Sequence, residues 1–370
     1  MTDAVEEGIE ALSFRDPDRA GALRERLADL VETVDTPVRV VHVCGSHEEA
    51  IAEYGLRAVL PDGLTVAMGP GCPVCVTDSA EVDEAVALAR SGAVVATYGD
   101  MLRVPGSDGS LADARDEGAD VRVVYSAAEA ADIARETDDE VVFFGVGFET
   151  TAAPTASVLR EGVPSNFSVL SAHKYVPPAM ELVADHPDTR VDGFLAAGHA
   201  ATITGTEVYE RVAADYDLPV VVGGFEPVDV LYGLVELLEQ LADGTATVEN
   251  AYPRCVSRAG NEAAQEALWT VFERVPGQWR GIAEVPDATL QLRAEYAAHD
   301  ARERFDIDAG DGDDRATDCI CGEIMAGRAE PADCPLLGEA CTLADPVGAC
   351  MVSDEGPCRI DQEYGEVRGR

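Results

Sequence analysis

Short apolar runs alternate with longer amphipathic stretches through the first two thirds of the chain. The runs are rich in valine, alanine and phenylalanine, as buried strands often are, and the stretches between them repeat their apolar residues at helical spacing. The predicted strands are Val38–Val43, Leu64–Met68, Ala93–Thr97, Val121–Tyr125, Val141–Phe144, Phe167–Leu170, Phe194–Ala197 and Pro219–Val222. Strands that alternate with helices form βαβ units, so this pattern predicts an α/β fold with parallel sheets.

The alternation falls into two similar blocks and then ends. We expect two Rossmann-like parallel-sheet domains, over residues 36–137 and 138–240. Residues 241–370, with or without the helix predicted within 1–35, form a third domain that is rich in cysteine. Its first part shows helical periodicity at Glu262–Arg274 and again at Leu290–Arg304.

Residues of the kind that carry chemistry follow the predicted strands. The candidates are Cys44, His47, Cys72, Cys75, Glu149, Thr150, His173, Lys174 and His199. In an open parallel sheet the carboxyl ends of the strands line one crevice. We therefore expect convergence between the two α/β domains of Cys44, Cys72, Cys75, Glu149, Thr150, His173 and His199.

Two stretches place cysteine at the start of a predicted helix. In Cys44-Gly-Ser-His47 the backbone N–H groups and the helix dipole favour a thiolate, and His47 is close enough in sequence to pair with it. The loop Gly69-Pro-Gly-Cys72-Pro-Val-Cys75 has the C-x-x-C spacing of thiol–disulfide couples and of half a metal site. No second pair with zinc spacing lies nearby, so a redox dithiol is favoured over structural zinc.

The other candidates carry weaker signals. Lys174 is the only lysine among 27 lysine and arginine residues, and it follows His173 directly. An isolated histidine is more often a satisfied core residue, but His173 and His199 occupy equivalent positions after strands, which favours a functional role. Glu149 and Thr150 open a helix, either as an ordinary N-terminal cap or as part of the same site.

Six of the ten cysteines lie in the C-terminal segment, in the pattern Cys319-x-Cys321-x12-Cys334-x6-Cys341-x8-Cys350-x7-Cys358. Thiolates are preferred by zinc, cuprous ion and iron–sulfur clusters. A cubane cluster takes four thiolates, which leaves two cysteines over, and the spacing fits no common zinc finger. An iron–sulfur cluster beside a cysteine pair and a zinc site are both consistent with this segment.

The charge of the chain narrows the class of protein. The formal net charge is −43, and the acidic residues are spread along the whole length. A carboxylate-covered surface stays hydrated at very high salt, where its self-repulsion is screened, so the composition indicates a halophilic protein. Nucleic-acid binding is disfavoured because no basic patch could neutralise phosphates.

The sequence also indicates where the protein is located. No apolar run is long enough for a membrane span, and the acidic N-terminus is unlike a signal peptide. We therefore expect a cytoplasmic protein with reduced thiols.

Taken together and in order, the motifs resemble the HypD family of [NiFe]-hydrogenase maturation factors. They are Cys44-Gly-Ser-His47, Gly69-Pro-Gly-Cys-Pro-Val-Cys75, Gly147-Phe-Glu-Thr-Thr151, Gly198-His199, Gly224-Phe-Glu-Pro227, Gly260-Asn261, Trp279-Arg-Gly281 and the six-cysteine tail. The likeness covers essentially the full length. It implies a scaffold with redox activity, rather than a conventional turnover enzyme, on which the Fe(CN)2CO unit of the hydrogenase is built.

The resemblance also implies cofactors, partners and residue roles. Cys44 would hold iron that carries cyanide and carbon monoxide, shared with a small HypC-type chaperone, and a HypE-type protein would donate the cyanide. The hydrogenase large subunit would be served indirectly.

The resemblance also implies roles for the other cysteines. Cys72 and Cys75 would be a redox pair near the iron. The third domain would be an iron–sulfur domain like the cluster-and-disulfide arrangement of ferredoxin–thioredoxin reductase. Its [4Fe–4S] ligands would be Cys319, Cys334, Cys341 and Cys358, and its spare redox pair Cys321 and Cys350.

Two positions depart from the family pattern. Glu49 stands where the family usually has the second histidine of a C-G-x-H-x-H segment, which removes an imidazole from that position. Ala197 replaces the usual proline before Gly198-His199.

Two other functions are left open by the residues. An iron–sulfur disulfide reductase would reduce the Cys72–Cys75 pair for a thiol substrate. A zinc-stabilised interaction module would use the tail cysteines only to hold zinc.

Overall fold

The computed structural model describes residues 15–186, 190–307, 309 and 318–365. These residues form two parallel sheets, one antiparallel hairpin and a C-terminal region of short helices. The predicted α/β class with parallel sheets is therefore confirmed. The first part of the N-terminal segment 1–35, up to residue 14, lies outside the described residues.

Each of the predicted apolar runs forms a strand within a few residues of its expected bounds. In chain order the strands are β1 (Val38–His42), β2 (Leu64–Met68), β3 (Val94–Thr97), β4 (Val121–Val123), β5 (Val141–Gly147), β6 (Phe167–His173), β7 (Gly193–Ala197), β8 (Val220–Gly223), β9 (Val248–Asn250), β10 (Phe272–Trp279) and β11 (Ala283–Leu292). The first sheet has the order β2-β1-β7-β8-β9 and the second has the order β4-β3-β5-β6. All neighbours in both sheets pair in parallel.

Helices connect most of the parallel strands. In chain order they are α1 (Pro17–Val34), α2 (Gly45–Glu53), α3 (Pro73–Val76), α4 (Ser79–Arg90), α5 (Leu111–Asp116), α6 (Ala127–Glu136), α7 (Glu149–Glu161), α8 (Val176–Asp185), α9 (Gly198–Thr204), α10 (Glu210–Tyr216), α11 (Pro227–Asp243), α12 (Glu262–Val271), α13 (Ala301–Arg304), α14 (Cys321–Met325), α15 (Ala349–Val352) and α16 (Pro357–Tyr364). The start of α4 follows from its sequence, since Asp78 and Glu81 form a capping box. Within the described part of the chain, no helix combines the length and apolar character needed to cross a membrane.

The strands group differently from the two predicted domains. The first sheet takes β1 and β2 from one predicted block and β7 and β8 from the other. The second sheet likewise combines β3 and β4 from the first block with β5 and β6 from the second. The boundaries 36–137 and 138–240 are therefore wrong: the chain leaves the first sheet after β2, builds the second sheet, and returns. Periodicity identifies strands but not their pairing partners, and strands that are close in sequence pair often but not always. β9 extends the first sheet, so the third region also begins later than residue 241.

The N-terminal helix belongs to the first sheet. Asp16 caps α1, and its carboxylate accepts two backbone N–H groups of the first turn. α1 packs against α11, where Leu27 and Leu234 share one buried apolar core. The alternative that this helix joins the cysteine-rich region is therefore wrong.

An antiparallel hairpin replaces part of the two predicted helical patches. Helix α12 ends at Val271, and β10 and β11 follow as paired strands. The turn between them contains Gly281 at φ 65°, a left-handed conformation that glycine adopts without strain. Leu290 and Leu292 are both buried with Gln291 between them, which is strand spacing. Over so few residues the spacing of apolar positions does not separate a strand from a helix. The predicted helix over Leu290–Arg304 is therefore wrong at its start, where Leu290–Leu292 belongs to β11, and confirmed at its end, where Ala301–Arg304 forms α13.

The C-terminal region covers one edge of the first sheet. α14 and α15 contact α3, and α16 contacts α2. Several tail cysteines share a buried core with Val41 and Val43, at the end of β1. The cysteine-rich region is therefore docked on the loops that follow β1 and β2.

Candidate functional site

Cys44 lies at the carboxyl edge of the first sheet, between β1 and α2. It is the N-terminal cap of α2 and is 1% exposed. The segments that follow β2, β7 and β8 reach the same edge, because the carboxyl ends of neighbouring parallel strands lie side by side. The residues around Cys44 therefore come from stretches far apart in sequence.

The dithiol loop contacts the backbone of Cys44 directly. The N–H of Gly45 donates to the carbonyl oxygen of Gly71 at 3.0 Å. A β-carbon at Gly71 would lie 2.0 Å from the nitrogen of Cys44, so only glycine allows this approach. Cys72 and Cys75 are joined by a disulfide and are fully buried, and Cys72 caps the short helix α3. The loop thus brings a buried dithiol next to the Cys44 segment.

His199 is the imidazole that contacts the thiol. Cys44 Sγ lies 3.7 Å from Nδ1 of His199, near the start of α9. Phe225 packs between the rings of His47 and His199, at centroid distances of 4.8 and 5.1 Å. Phe225 and two alanines of the α9 segment form a small apolar cluster with Cys44. The thiol and one imidazole therefore share a pocket with an aromatic wall.

His47 was expected to pair with Cys44, and it is occupied elsewhere. Its Nε2 donates to the carbonyl oxygen of Gly224 at 2.9 Å, while Nδ1 finds no partner among the described residues. Burial, and then the neighbouring His42, lower the pKa of His47 to about 3. His47 therefore supports Phe225 as a neutral ring, and the thiol contact belongs to His199.

The thiol pocket is electrically neutral. Burial raises the pKa of Cys44 to about 12, with a further contribution from the carboxylate of Glu355. The nearby backbone N–H groups of Ser46 and His47 oppose this increase only in part. Burial lowers the pKa of His199 to about 4. At neutral pH the pocket holds a protonated thiol beside an unprotonated imidazole, so a metal cation would have to displace the thiol proton.

Glu355 is a residue of this site that sequence reasoning missed. It lies between Cys350 and Cys358, and a β-carbon on Gly45 would come within 2.4 Å of its side chain. Burial, and then Asp100 and other nearby carboxylates, raise the pKa of Glu355 to about 7. Its place inside the cysteine-rich segment was the only signal for it. Sequence reasoning also missed Phe225, although it lies within the motif Gly224-Phe-Glu-Pro227.

The six tail cysteines divide into one disulfide and four cysteines outside any disulfide. Cys321 and Cys350 are bonded to each other. The four that are not disulfide-bonded are Cys319, Cys334, Cys341 and Cys358. Burial, and then the other three thiols, raise the pKa of Cys358 well above its ordinary value, so the four lie close together.

These four cysteines suit a cluster better than a single metal ion. In the described part of the chain, no three histidine, cysteine or acidic side chains stand close enough to hold one metal ion. A [4Fe–4S] cluster needs four cysteines, one on each iron, so its ligands are spread around the cluster rather than gathered on one atom. The four thiols therefore fit the cluster that the resemblance implies.

The two disulfides are neighbours through one helix. α3, which contains Cys75, packs against α14 and α15, which contain Cys321 and Cys350. All four of these cysteines belong to the same buried core. The dithiol loop thus lies between the Cys44 segment on one side and the tail disulfide on the other.

Glu149 is connected to the thiol pocket indirectly. It is the first residue of α7, and its Oε1 accepts the N–H of Val176 at 3.1 Å, while Oε2 has no partner among the described residues. Burial raises the pKa of Glu149 to about 7. Tyr209 is fully buried and lies near both groups: burial raises its pKa, and Glu149 and Cys44 raise it further. Thr150 follows on the same helix and is half-buried.

His173 and Lys174 make contacts that join the second sheet to the hairpin. Lys174 is 1% exposed, and its Nζ donates to Glu81 of α4 at 2.8 Å and to the carbonyl oxygen of Gln278 at 3.1 Å. His173 bonds Ser171 through Nδ1, and its ring packs edge-on against Phe272. Burial, and then Lys174, lower the pKa of His173 to about 3. These contacts give both residues a structural role, and none of them involves Cys44.

Fold and site together define a thiol-centred α/β protein, in which a free cysteine, a buried dithiol loop and a cysteine-rich tail meet at one sheet edge. Comparison with known proteins shows which family within this class the chain belongs to. The chain matches HypD, described as the "Hydrogenase formation hypA family", over residues 18–365. It belongs to that family of hydrogenase maturation factors, and the resemblance seen in the motifs is confirmed.

Relatives from bacteria and archaea cover nearly the whole chain. Hydrogenase maturation factor HypD of Rhodobacter capsulatus is 43% identical over 372 residues, which is 97% of this chain and 98% of that protein. A putative hydrogenase expression/formation protein of Methanocaldococcus jannaschii is 44% identical over 347 residues, covering 93% and 96%. HypD of Cupriavidus necator is 42% identical over 366 residues, covering 95% and 96%.

Proposed function

We propose that this chain is the scaffold on which the Fe(CN)2CO unit of a [NiFe] hydrogenase is assembled in the cytoplasm, with Cys44 as the ligand that holds the iron. The observation that carries the proposal is the meeting of three sulfur-bearing stretches: Cys44, the Cys72–Cys75 loop against its backbone, and the tail packed on that loop. Membership of a family of hydrogenase maturation factors supports the same role.

Iron is the substrate of this site, and the pocket needs a partner to hold it. Cys44 and His199 are the two donors in contact, which is fewer than an iron ion requires. A HypC-type chaperone would supply further ligands, and a HypE-type protein would donate cyanide to the shared iron. The thiol is almost fully buried, so binding the partner must open the pocket at its half-buried wall, Phe225.

The first chemical step on this chain is removal of the thiol proton. When ferrous ion bonds to Cys44 Sγ, the S–H bond breaks and the proton needs an acceptor. Nδ1 of His199 is the base in contact with the sulfur, and its low pKa makes it a short-term acceptor that releases the proton to water once partner binding has opened the pocket. Nδ1 is then again free of its proton and available as a donor to the iron. The iron–sulfur bond replaces the sulfur–hydrogen bond, and no electron is transferred in this step.

The remaining thiols suit redox roles. Cys319, Cys334, Cys341 and Cys358 would hold a [4Fe–4S] cluster, which supplies single electrons when bound. Cys72 and Cys75 can take up two electrons and two protons on reduction of their disulfide. Their place between the Cys44 segment and the tail supports a role in supplying reducing equivalents to the iron site.

Anaerobic purification with and without the chaperone, followed by iron, sulfide and infrared analysis, tests the proposal. We expect about four irons with matching sulfide in the protein alone. The chaperone complex should contain additional iron with cyanide and carbonyl stretches. Zinc without iron or sulfide would select the interaction module instead. Turnover of a disulfide substrate without a chaperone would select the reductase, a function that the full burial of Cys72 and Cys75 disfavours.

A further inference from the structure

His42 is the last residue of β1 and is fully buried, two residues before Cys44. Its Nδ1 lies 3.1 Å from the carbonyl oxygen of Cys44, and its Nε2 lies 2.9 Å from Oε2 of Glu48. A carbonyl oxygen and a carboxylate only accept hydrogen bonds, so the ring donates from both nitrogens. His42 therefore links the backbone of Cys44 to a buried carboxylate.

Arg57 completes this network. Its Nη1 and Nη2 donate to the two carboxylate oxygens of Glu48 at 2.9 and 2.7 Å. Its Nε donates to the carbonyl oxygen of Val66 in β2 at 3.3 Å. Burial alone would raise the pKa of Glu48, but Arg57 and His42 outweigh it and hold the pKa well below its ordinary value. Each charged member of the network has a partner, as a buried network needs to be stable.

The peptide group after Cys44 is held on three sides. Its carbonyl oxygen accepts from His42 and from the N–H of Glu48, the latter at 3.2 Å, and its N–H, on Gly45, donates to Gly71. Cys44 itself has an extended backbone, at φ −158° and ψ 128°. The direction of the Cα–Cβ bond follows from this backbone, so the bonds help to set the region in which Sγ lies relative to His199.

Position 49 does not contribute to this arrangement. Glu49 is exposed, and it makes no hydrogen bond to the Cys44 segment among the described residues. Its electrostatic neighbours are carboxylates: Glu53, Asp354 and Glu363 on the surface, and the buried Glu355. The imidazole that the family pattern places at position 49 is therefore absent from the Cys44 segment. The buried imidazole bonded to that segment is His42, which reaches it from the strand side.

We propose that His42 is the positioning residue for Cys44, with Glu48 and Arg57 as its support. The bonds of His42 hold the Cys44 peptide in the conformation that directs Sγ at His199. The inference rests on the proposed function only where it concerns iron, since the position of the sulfur can be measured without iron.

The test compares alkylation of Cys44 with alkylation of Cys255 in the full chain, using iodoacetamide and mass spectrometry under anaerobic conditions. Cys255 is exposed and provides an internal reference. His42→Phe removes both donors and leaves Glu48 paired with Arg57, whereas His42→Gln keeps one amide N–H for the Cys44 carbonyl. His299→Gln is the matched control, because His299 also bonds a backbone carbonyl, that of Phe167, at 2.8 Å.

We expect the Cys44-to-Cys255 rate ratio to rise about tenfold in His42→Phe, because the loop opens more often without its buried hydrogen bonds. His42→Gln should restore much of the original ratio, and His299→Gln should not change it. If His42→Phe does not fold, Glu48→Gln provides the second variant, with a rise of about threefold because it weakens the bond to His42. Equal ratios in wild type and in the folded His42 and Glu48 variants overturn the inference.

The iron-bound complex separates this inference from the proposed function. If the ratios change as expected but wild type takes up no iron with its chaperone, the positioning role stands and the proposed function fails. If wild type and His42→Phe take up iron equally, with identical cyanide stretches, the positioning role is overturned and the proposed function stands.

Discussion

At the scale of single residues, burial sets the chemistry of the pocket. The pKa of Cys44 is raised to about 12 and that of His199 is lowered to about 4, so neither group is charged at neutral pH. Spacing identified Cys44 but suggested His47 as its partner, because contacts between residues that follow different strands are not encoded in local spacing. Glu355 was missed for the same reason.

The buried carboxyl of Glu149 predicts a pH-dependent stability. Its pKa is raised by burial from 4.5 to about 7, so the folded protein keeps a proton that the unfolded chain releases. The stability from that proton is complete below the unfolded pKa of 4.5 and is lost as the pH rises through about 7. Glu149→Gln cannot ionise, so its melting temperature relative to wild type should increase between about pH 5 and about pH 8.

The control for Glu149 is a carboxylate on the surface. Glu266→Gln, at a side chain that is 70% exposed, should leave the pH dependence of the melting temperature unchanged. If the melting temperatures of wild type and Glu149→Gln changed by the same amount across that pH range, the buried, protonated carboxyl would be contradicted.

At the scale of elements, most of the helices and strands could be predicted, because short apolar runs and caps such as Asp78 are local signals. The hairpin β10–β11 was missed, since its few apolar positions fit the spacing of a helix as well as that of a strand. The packing of the dithiol loop on α2 could not be predicted, because it joins segments that follow different strands. That packing is what joins the two thiol-bearing segments.

Gly71→Ala tests the contact between the loop and α2. The added methyl group would lie 2.0 Å from the nitrogen of Cys44, and neither backbone can move far. We expect a loss of about 3 kcal/mol in the free energy of unfolding, measured by urea denaturation. Gly21→Ala is the matched control: it lies in α1 with nothing within 4 Å, so it should gain about 1 kcal/mol from helix propensity. Equal stability of Gly71→Ala and wild type would show that the loop does not pack as described.

At the scale of the whole molecule, two parallel sheets, each built from separate parts of the chain, and a docked tail bring the sulfur-bearing stretches to one edge. The order β2-β1-β7-β8-β9 depends on long-range pairing, and apolar periodicity contains no information on which strands pair. This is why the predicted consecutive domains were wrong while the predicted convergence after the strands was right for Cys44, the dithiol loop and His199. His173 and Lys174 follow a strand of the other sheet and face the hairpin instead.

The net charge of −43 predicts that the folded state needs salt. Carboxylates far outnumber cations, so their mutual repulsion destabilises the compact state until counterions screen it. The melting temperature should rise steadily as potassium chloride is increased from about 0.1 M to about 1 M, where the screening length falls from about 10 Å to about 3 Å. Sucrose at the same osmolality should give a smaller rise. A melting temperature that falls with added salt would contradict a halophilic surface.

The most direct test of the central claim is the iron and infrared analysis of Cys44→Ala in complex with the chaperone, beside Cys255→Ala as the matched cysteine control. If Cys44 is the iron ligand at the meeting point of the three thiol stretches, Cys44→Ala loses the chaperone-shared iron and its cyanide and carbonyl stretches. It keeps about four cluster irons with their sulfide, and Cys255→Ala keeps both. Cyanide and carbonyl stretches of undiminished intensity in Cys44→Ala would contradict the account.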